Sequence, residues 1–251
     1  MQNDISLAQW ALIDEHRSGA IRAIDLPRIA REDFGLNGVE WVNSLFEVPH
    51  QQYLDTLKAQ CAMHGVQSLL IMVDYEGDGC CTDRAGRELF SVLHRKWVDI
   101  AHYLGCSAIR TNCRGDISQD RQEALSWAAE SYHPLLEYAS PAGIKILIEN
   151  HGAFSDDADW MVDLYKQVAH PLFGSYPDWR GPGFGYDHVA YLEKVLPWAG
   201  GMSYRNMPTD EETLRMLDIC VKGGFVGWYG IESNGREEVQ KGIDLLRGHL
   251  P

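Results

Sequence analysis

Short apolar runs alternate along the chain with longer segments whose apolar residues recur at helical spacing. Each run is short and continuous, which is typical of strands buried on both faces of a parallel sheet. The strand candidates are ISLAQ (5–9), GVEWV (38–42), SLLIMV (68–73), AIRTN (108–112), KILIEN (145–150), FGSYP (173–177), GMSYRN (201–206) and VGWYGIES (226–233).

Helical periodicity fills most intervals between these strands, most clearly over 50–65, 84–105, 122–140, 158–169 and 186–200. This alternation predicts parallel βα units, and eight units in about 250 residues is the count of a (β/α)8 TIM barrel. A doubly wound open sheet is the alternative fold, but no glycine-rich phosphate loop follows the first strand. Because we find no linker or break in composition, we expect a single barrel domain over residues 1–251.

Charge and hydropathy limit the classes of partner. The formal net charge is −14, which argues against a nucleic-acid partner, since proteins that bind nucleic acid carry a basic surface. No apolar run approaches the roughly 18 residues of a membrane span, and the N-terminus lacks the basic-then-apolar order of a signal peptide. We therefore expect a cytoplasmic protein without a membrane partner, and we leave open whether it forms a homo-oligomer.

Polar residues follow the strand candidates at their carboxyl ends, where a barrel places its active site. These candidates are Glu40, Asp74, Glu76, Arg110, Asn112, Glu149, Asn150, His151, Asp178, Ser203, Arg205, Glu232 and Asn234. Strand alternation directs Glu149 to the same side as Leu147, and Glu232 to the same side as Gly230. Glu149, Asp178 and Glu232 then converge from three strands. Converging carboxylates repel one another, and a shared divalent metal is the simplest way to keep them ionised.

Six segments together carry a resemblance that spans nearly the whole chain. The chain resembles the sugar phosphate isomerase/epimerase group of the xylose-isomerase-like barrels. The segments occur in that group's order and at its usual distances: 24–43, VDYEGD (73–78), LGCSAIRTN (104–112), ILIENHG (146–152), FGSYPD (173–178) and YGIESNG (229–235).

The resemblance implies a divalent ion held by Glu, Asp, His and Glu side chains at the ends of the fifth to eighth strands. Glu149, Asp178 and Glu232 match three of these ligands, but the position of the histidine is occupied by Ser203. Arg205 matches the basic residue that follows it. The remaining ligands are carboxylates, which favour Mn²⁺ or Mg²⁺ over zinc.

The leading hypothesis is a keto-sugar isomerase or epimerase that removes a proton next to a carbonyl and forms an enediolate. Its catalytic residues are Glu149, Glu232 and His151, and its substrate is a small carbohydrate. The residues expected to bind the substrate are Glu76, Arg110, Asn112, Asn150, Trp179, Ser203 and Arg205.

Three alternatives remain open. A lyase that eliminates the aglycone of a 3-keto glycoside would form the same enolate, and both Ser203 and the segment PDWRGPG (177–183) favour a remodelled site of this kind. A non-catalytic sugar-binding barrel would account for the loss of the histidine ligand. Finally, Glu149 and Glu232 could be carboxylates at the barrel mouth that pair with Arg110 or Arg205.

Overall fold

Eight parallel strands form one curved sheet in the computed structural model, which describes residues 3–180 and 185–250. The last residues of PDWRGPG lie outside the described residues. All eight predicted strands are present, and the predicted (β/α)8 barrel is confirmed. The strands are β1 (Asp4–Ala8), β2 (Gly38–Val42), β3 (Gln67–Met72), β4 (Ala108–Asn112), β5 (Lys145–Glu149), β6 (Phe173–Ser175), β7 (Met202–Tyr204) and β8 (Trp228–Ile231).

Helices connect successive strands across the described residues. The five longest segments predicted from periodicity are helical, and four further helices follow β1, β7 and β8. None of the helices in the described part of the chain combines the length and apolar character needed to cross a bilayer. The helices are α1 (Ile13–Ser18), α2 (Leu26–Arg28), α3 (Gln51–His64), α4 (Arg84–Leu104), α5 (Arg121–Ala139), α6 (Ala158–Val168), α7 (His188–Val195), α8 (Asp210–Lys222) and α9 (Arg236–His249).

The barrel closes between β6 and β7, and this seam differs from the other seven strand pairings. The sheet order runs β6-β5-β4-β3-β2-β1-β8-β7, and each neighbouring pair in that order is joined by a parallel ladder, with one register shift between Val39 and Glu40 where β2 pairs with β3. Two isolated bridges complete the ring, Ser175 with Ala199 and Asp178 with Ser203. The amide of Ser203 donates to the carbonyl of Pro177 at 3.0 Å. The seam therefore contains two of the candidate site residues, Asp178 and Ser203.

Strand alternation divides the apolar side chains into two clusters. A small cluster inside the barrel includes Val42, Met72 and Leu147. The large cluster between the sheet and the helices includes Ile146 and Ile148. The inward direction predicted for Leu147, and with it Glu149, therefore agrees with the packing.

Glu40 is a carboxyl group held inside the barrel. The hydroxyl of Tyr176 donates to its Oε2 in a short hydrogen bond, and Ser6 Oγ donates to its Oε1 at 2.8 Å. Gly230 on β8 faces this carboxylate so closely that a Cβ there would lie 2.3 Å from Glu40 Oε2. Burial raises the pKa of Glu40 to about 7 despite the two hydrogen bonds. The interior beneath the candidate site thus contains a titratable group.

Candidate active site

A polar cavity of about 690 Å³ opens at the carboxyl ends of the strands. Such a volume suits a small ligand. Six of the residues singled out for a catalytic, metal-binding or substrate role line it, on β4 and β5 and in the segments that follow β5, β7 and β8. The lining residues are Trp10, Ile13, Asp74, Tyr75, Gly77, Asp78, Arg110, Asn112, Arg114, Glu149, His151, Arg205, Glu232 and Asn234.

Arg110 connects the carboxylates on one side of the cavity floor. Its side chain is only 2% exposed, and its Nε lies 2.9 Å from Glu149 Oε2. Its Nη1 lies 2.7 Å from Asp74 Oδ1, which also accepts from the amide of Asn112 at 3.1 Å. A buried guanidinium of this kind needs such partners, because an unpaired charge inside a protein is costly.

Arg205 connects the carboxylates on the other side. Its Nε donates to Asp178 Oδ1 at 2.8 Å, and its Nη2 donates to Glu232 Oε2 at 2.7 Å. Its Nη1 also donates to the backbone carbonyl of Glu232 at 3.2 Å. Ser203 lies two residues before it on the same side, and its hydroxyl donates to Asp178 Oδ1 at 3.3 Å. Arg205 therefore links the ends of β6, β7 and β8.

The carboxylates of the site have cationic partners, contrary to the expectation that they converge uncompensated. The pairing of Glu149 with Arg110 and of Glu232 with Arg205 is the arrangement of the third alternative. Burial raises the pKa of Glu149 well above its usual value, although Arg110 opposes the shift. Burial also raises the pKa of Glu232 against the effect of Arg205. Both glutamates thus hold a proton more readily than a carboxylate in water.

His151 lies at the edge of the cavity as a neutral imidazole. Burial, together with Arg110 and Arg114, lowers its pKa to about 4. Arg114 Nη2 lies 2.8 Å from His151 Nδ1. A guanidinium can only donate, so Nδ1 accepts and the ring proton resides on Nε2. His151 therefore offers an N–H donor through Nε2.

Four residues predicted to bind the substrate lie away from the cavity. Glu76 Oε1 pairs with Lys96 Nζ at 2.6 Å and accepts from the indole of Trp97 at 2.9 Å, both on α4. Trp179 is buried between the sheet and the helices, 5.0 Å from the ring of Tyr204.

Asn150 and Ser203 form hydrogen bonds to Asp178 and do not line the cavity. The amide nitrogen of Asn150 donates to the carbonyl of Asp178 at 2.9 Å, and its Oδ1 accepts from the amide of Asp178 at 2.8 Å. Ser203 is fully buried against the same carboxylate. Asp178 contacts Arg205 and these two residues, and it is not among the lining residues.

The structure adds residues that sequence reasoning did not give a role. Asp74 was a strand-end candidate, and its position two residues after Met72 on β3 was the available signal. Trp10 lies in a single 3-10 turn (Gln9–Leu12) after β1, and Arg114 lies in an irregular segment after β4; neither is long enough or regular enough for a sequence period to reveal the side-chain direction. Asp78 accepts from the backbone amide of Arg114 at 3.0 Å and shapes that loop.

The site does not fit the divalent ion that the resemblance implies. No group of three or more His, Cys, Asp or Glu side chains in the described ranges is arranged to hold a metal. Asp178 and Glu232 both face the guanidinium of Arg205, and Glu149 faces that of Arg110. The place of the fourth ligand is taken by Ser203, whose hydroxyl is a poor donor to such ions.

Comparison with known proteins gives the family. The family model described as the xylose isomerase-like TIM barrel matches residues 29–180. This match covers more than half of the chain, so the chain belongs to the xylose isomerase-like TIM barrel family. No curated protein matches the sequence.

Solved structures with the same fold include proteins of different activity. A probable 3-DHS dehydratase from Bacillus anthracis is 16% identical, with coverage of 97% of this chain and 98% of that chain and a TM-score of 0.75. A 3-keto-D-glucoside 4-epimerase from E. coli is 10% identical, with coverage of 99% and 98% and a TM-score of 0.73. An IolI protein with a bound zinc atom is 12% identical, with coverage of 99% and 96% and a TM-score of 0.71. At these identities the likeness shows the fold alone.

Proposed function

We propose that the protein is a keto-sugar isomerase or epimerase that removes a proton from the carbon next to a carbonyl. The observation that carries this proposal is the pairing of two buried glutamates with two guanidinium groups at the floor of one polar cavity. Glu149 and Glu232 come from β5 and β8, which are not neighbours in the sheet. The 3-keto-glucoside epimerase among the similar structures supports the same reaction class.

The two glutamates suit proton transfer. Glu232 lines the cavity, and Oε1 is the carboxylate oxygen that Arg205 does not engage, so we assign this oxygen to take the proton from carbon. Glu149 stands on a different strand and can return a proton from another direction. A general base works best when its pKa is near the operating pH, and burial moves both glutamates in that direction. Return of the proton to the opposite face gives epimerisation, and return to the neighbouring carbon gives isomerisation.

The cations suit the other half of the reaction. When the C–H bond breaks, its electron pair forms the carbon–carbon double bond of the enediolate, and negative charge develops on the former carbonyl oxygen. N–H donors aimed at that oxygen lower the barrier, and they are most effective in a site screened from water. Arg110, Arg205 and the Nε2–H of His151 are donors of this kind among the residues that line the cavity.

A lyase is the second candidate, and His151 is the observation that favours it. Its Nε2–H lies at the cavity edge, where it could protonate a departing group once the enolate has formed. The same base and the same enolate then lead to loss of the group on the next carbon. A dehydratase eliminates water, so the probable 3-DHS dehydratase among the similar structures supports keeping this candidate.

Exchange of the substrate's α-hydrogen with solvent deuterium tests both candidates. The protein is incubated in D2O with a panel of keto-sugars and 3-keto glycosides, and deuterium is measured by mass spectrometry and NMR. We expect incorporation into at least one compound, with a new sugar indicating an epimerase or isomerase and a released aglycone indicating a lyase. A sugar that binds without any exchange would indicate a non-catalytic barrel.

Matched variants link the exchange to the site. Glu149→Gln and Glu232→Gln keep the side-chain shape but remove the base, so each should reduce exchange by at least about 100-fold while the protein remains folded. Glu88→Gln changes an exposed carboxylate on α4 that pairs with Arg84, and it serves as the control. Normal exchange in both cavity variants would contradict the proposal.

A further inference from the structure

The position of Arg205 between two carboxylates carries an inference about the electrophile. Asp178 and Glu232 are the carboxylates that an ion shared between β6 and β8 would bind. The guanidinium lies between them instead, 2.8 Å from Asp178 Oδ1 and 2.7 Å from Glu232 Oε2. The side chains of both acids are at most 3% exposed, so the pairing is screened from solvent.

A divalent ion and this guanidinium compete for the same oxygens. An ion of the Mg²⁺, Mn²⁺ or Ca²⁺ type requires oxygen ligands at about 2.0–2.6 Å. To bind here it would have to displace Arg205, because two cations sharing these oxygens would repel each other strongly at low dielectric. Ser203 also favours the guanidinium over a divalent ion, because its hydroxyl donates a hydrogen bond to Asp178 and it has no imidazole nitrogen to bind a metal.

Arg205 also retains donors for a ligand. Its contacts with Asp178 and Glu232 use one N–H from each of its three nitrogens, and a guanidinium has five N–H donors. The side chain is 37% exposed and lines the cavity, in contrast to the buried acids that hold it. Arg110 stands on the other side of the floor, next to Glu149.

We propose that Arg205 takes the place of a divalent metal and that proton abstraction in this cavity is metal-independent. The inference rests on the proposed function. The proton moves from the α-carbon to a glutamate, the C–H electron pair becomes the π bond between the α-carbon and the carbonyl carbon, and the carbonyl π pair moves to the oxygen. That oxygen accepts hydrogen bonds from the remaining N–H groups of Arg205 and Arg110. Return of the proton from a glutamate to carbon completes the reaction, so no oxidant or co-reactant is required.

The first test is the metal content of the full-length protein. Elemental analysis of the purified chain, followed by titration with Mn²⁺ and electron paramagnetic resonance of the free ion, measures binding without any substrate. We expect far less than one divalent ion per chain and no saturable Mn²⁺ site at micromolar concentrations. One tightly bound ion per chain would overturn the proposal.

The second test removes the cation. Arg205→Met keeps the apolar stem and frees Asp178 and Glu232, and Ser203→His combined with Arg205→Met adds an imidazole. We expect Mn²⁺ to bind at least about tenfold more tightly to each variant than to the natural protein. Arg114→Met is the matched control, because it removes a cavity cation that does not pair with these acids, and it should create no Mn²⁺ site.

Equal Mn²⁺ affinity in the natural protein and the Arg205 variants would also overturn the proposal. If the Arg205 variants fail to fold by circular dichroism, the measurements on the natural protein still decide it. Deuterium exchange should persist at full rate after dialysis against a chelator. Absence of exchange in every condition would count against the proposed function, whereas exchange that stops with the chelator and returns with Mn²⁺ would count against metal independence alone.

Discussion

Glu40 is the residue whose ionisation bears most directly on the stability of the barrel interior. Its pKa of about 7 in the folded chain compares with an ordinary value of 4.5 for a glutamate in water. Between these two pH values the folded state holds a proton that the unfolded state has lost. Its contribution to the free energy of unfolding is therefore fully present below about pH 4.5 and is lost as the pH rises to about 7.

Substitution of Glu40 by Gln tests this pH dependence. A neutral amide cannot ionise, so the difference in free energy of unfolding between the natural protein and Glu40→Gln should shift in favour of the variant by up to about 3 kcal/mol between pH 4.5 and pH 8. Urea unfolding at several pH values measures it. Parallel pH profiles for the two proteins would show that Glu40 titrates at an ordinary pKa.

Single residues also show how far a sequence can specify this site. Strand alternation correctly directed Glu149 inward, because this residue lies within the regular strand β5. It could not be applied to Glu76 or Trp179, since β3 ends at Met72 and β6 ends at Ser175. Beyond those points the side-chain direction depends on loop conformation, as at Tyr75, whose φ of 62° turns the chain before Glu76.

At the scale of elements, β8 is shaped by the close approach of Gly230 to Glu40. A Cβ on Gly230 would lie 2.3–2.6 Å from the carboxylate atoms of Glu40, which Tyr176 and Ser6 hold in place. Overpacking of a closed interior forces neighbouring atoms to move and costs about 1–3 kcal/mol. Glu232 lies two residues further along the same chain segment, so a shift of β8 also moves a proposed catalytic group.

We expect Gly230→Ala to lower the free energy of unfolding by about 1–3 kcal/mol and to reduce deuterium exchange. Gly248→Ala is the matched control on α9, because a Cβ at Gly248 would meet no atom within 4 Å. Alanine there should be neutral or stabilise the helix by up to about 1 kcal/mol. Thermal unfolding of both variants provides the measurement, and equal behaviour of the two would contradict the close packing of β8.

Elements were easier to predict than their partners. All eight strands follow from apolar runs, yet the bounds of β6, β7 and β8 are shorter in the structure than in the sequence prediction. The two strands at the seam, β6 and β7, end early because they are joined to each other by isolated bridges and not by a continuous ladder. The pairing of Glu149 and Glu232 with Arg110 and Arg205 could be stated from the sequence only as one alternative, since it depends on distances across the barrel that no local pattern records.

At the scale of the whole molecule, the seam between β6 and β7 is joined by two isolated bridges in the described residues, whereas the seven neighbouring pairs in the sheet order are joined by ladders. All eight strands belong to one sheet, and we propose that residues 1–251 act as one domain. Opening of the ring at the seam breaks two isolated bridges, whereas opening at β3 breaks ladders on both sides. Local opening free energies in a protein follow such differences.

Hydrogen exchange can detect this difference. The amides of Trp179 and Ser203 donate across the seam at 3.0 Å each, and we expect them to exchange at least about tenfold faster than the amide of Ile71 in β3. Exchange followed by mass spectrometry or NMR measures the rates. Equal protection of the three amides would show that the ring opens only by global unfolding.

The salt bridges of Arg205 also stabilise the seam, because this residue follows β7 and pairs with Asp178 after β6 and with Glu232 after β8. A compound that accepts hydrogen bonds from the remaining donors of Arg205 adds further interactions at the seam. Any ligand that binds only the folded chain raises its melting temperature. A ligand that adds hydrogen bonds at the seam between β6 and β7 should therefore raise the melting temperature clearly. A thermal-shift screen of sugars and their keto derivatives can therefore identify substrates before any reaction is known.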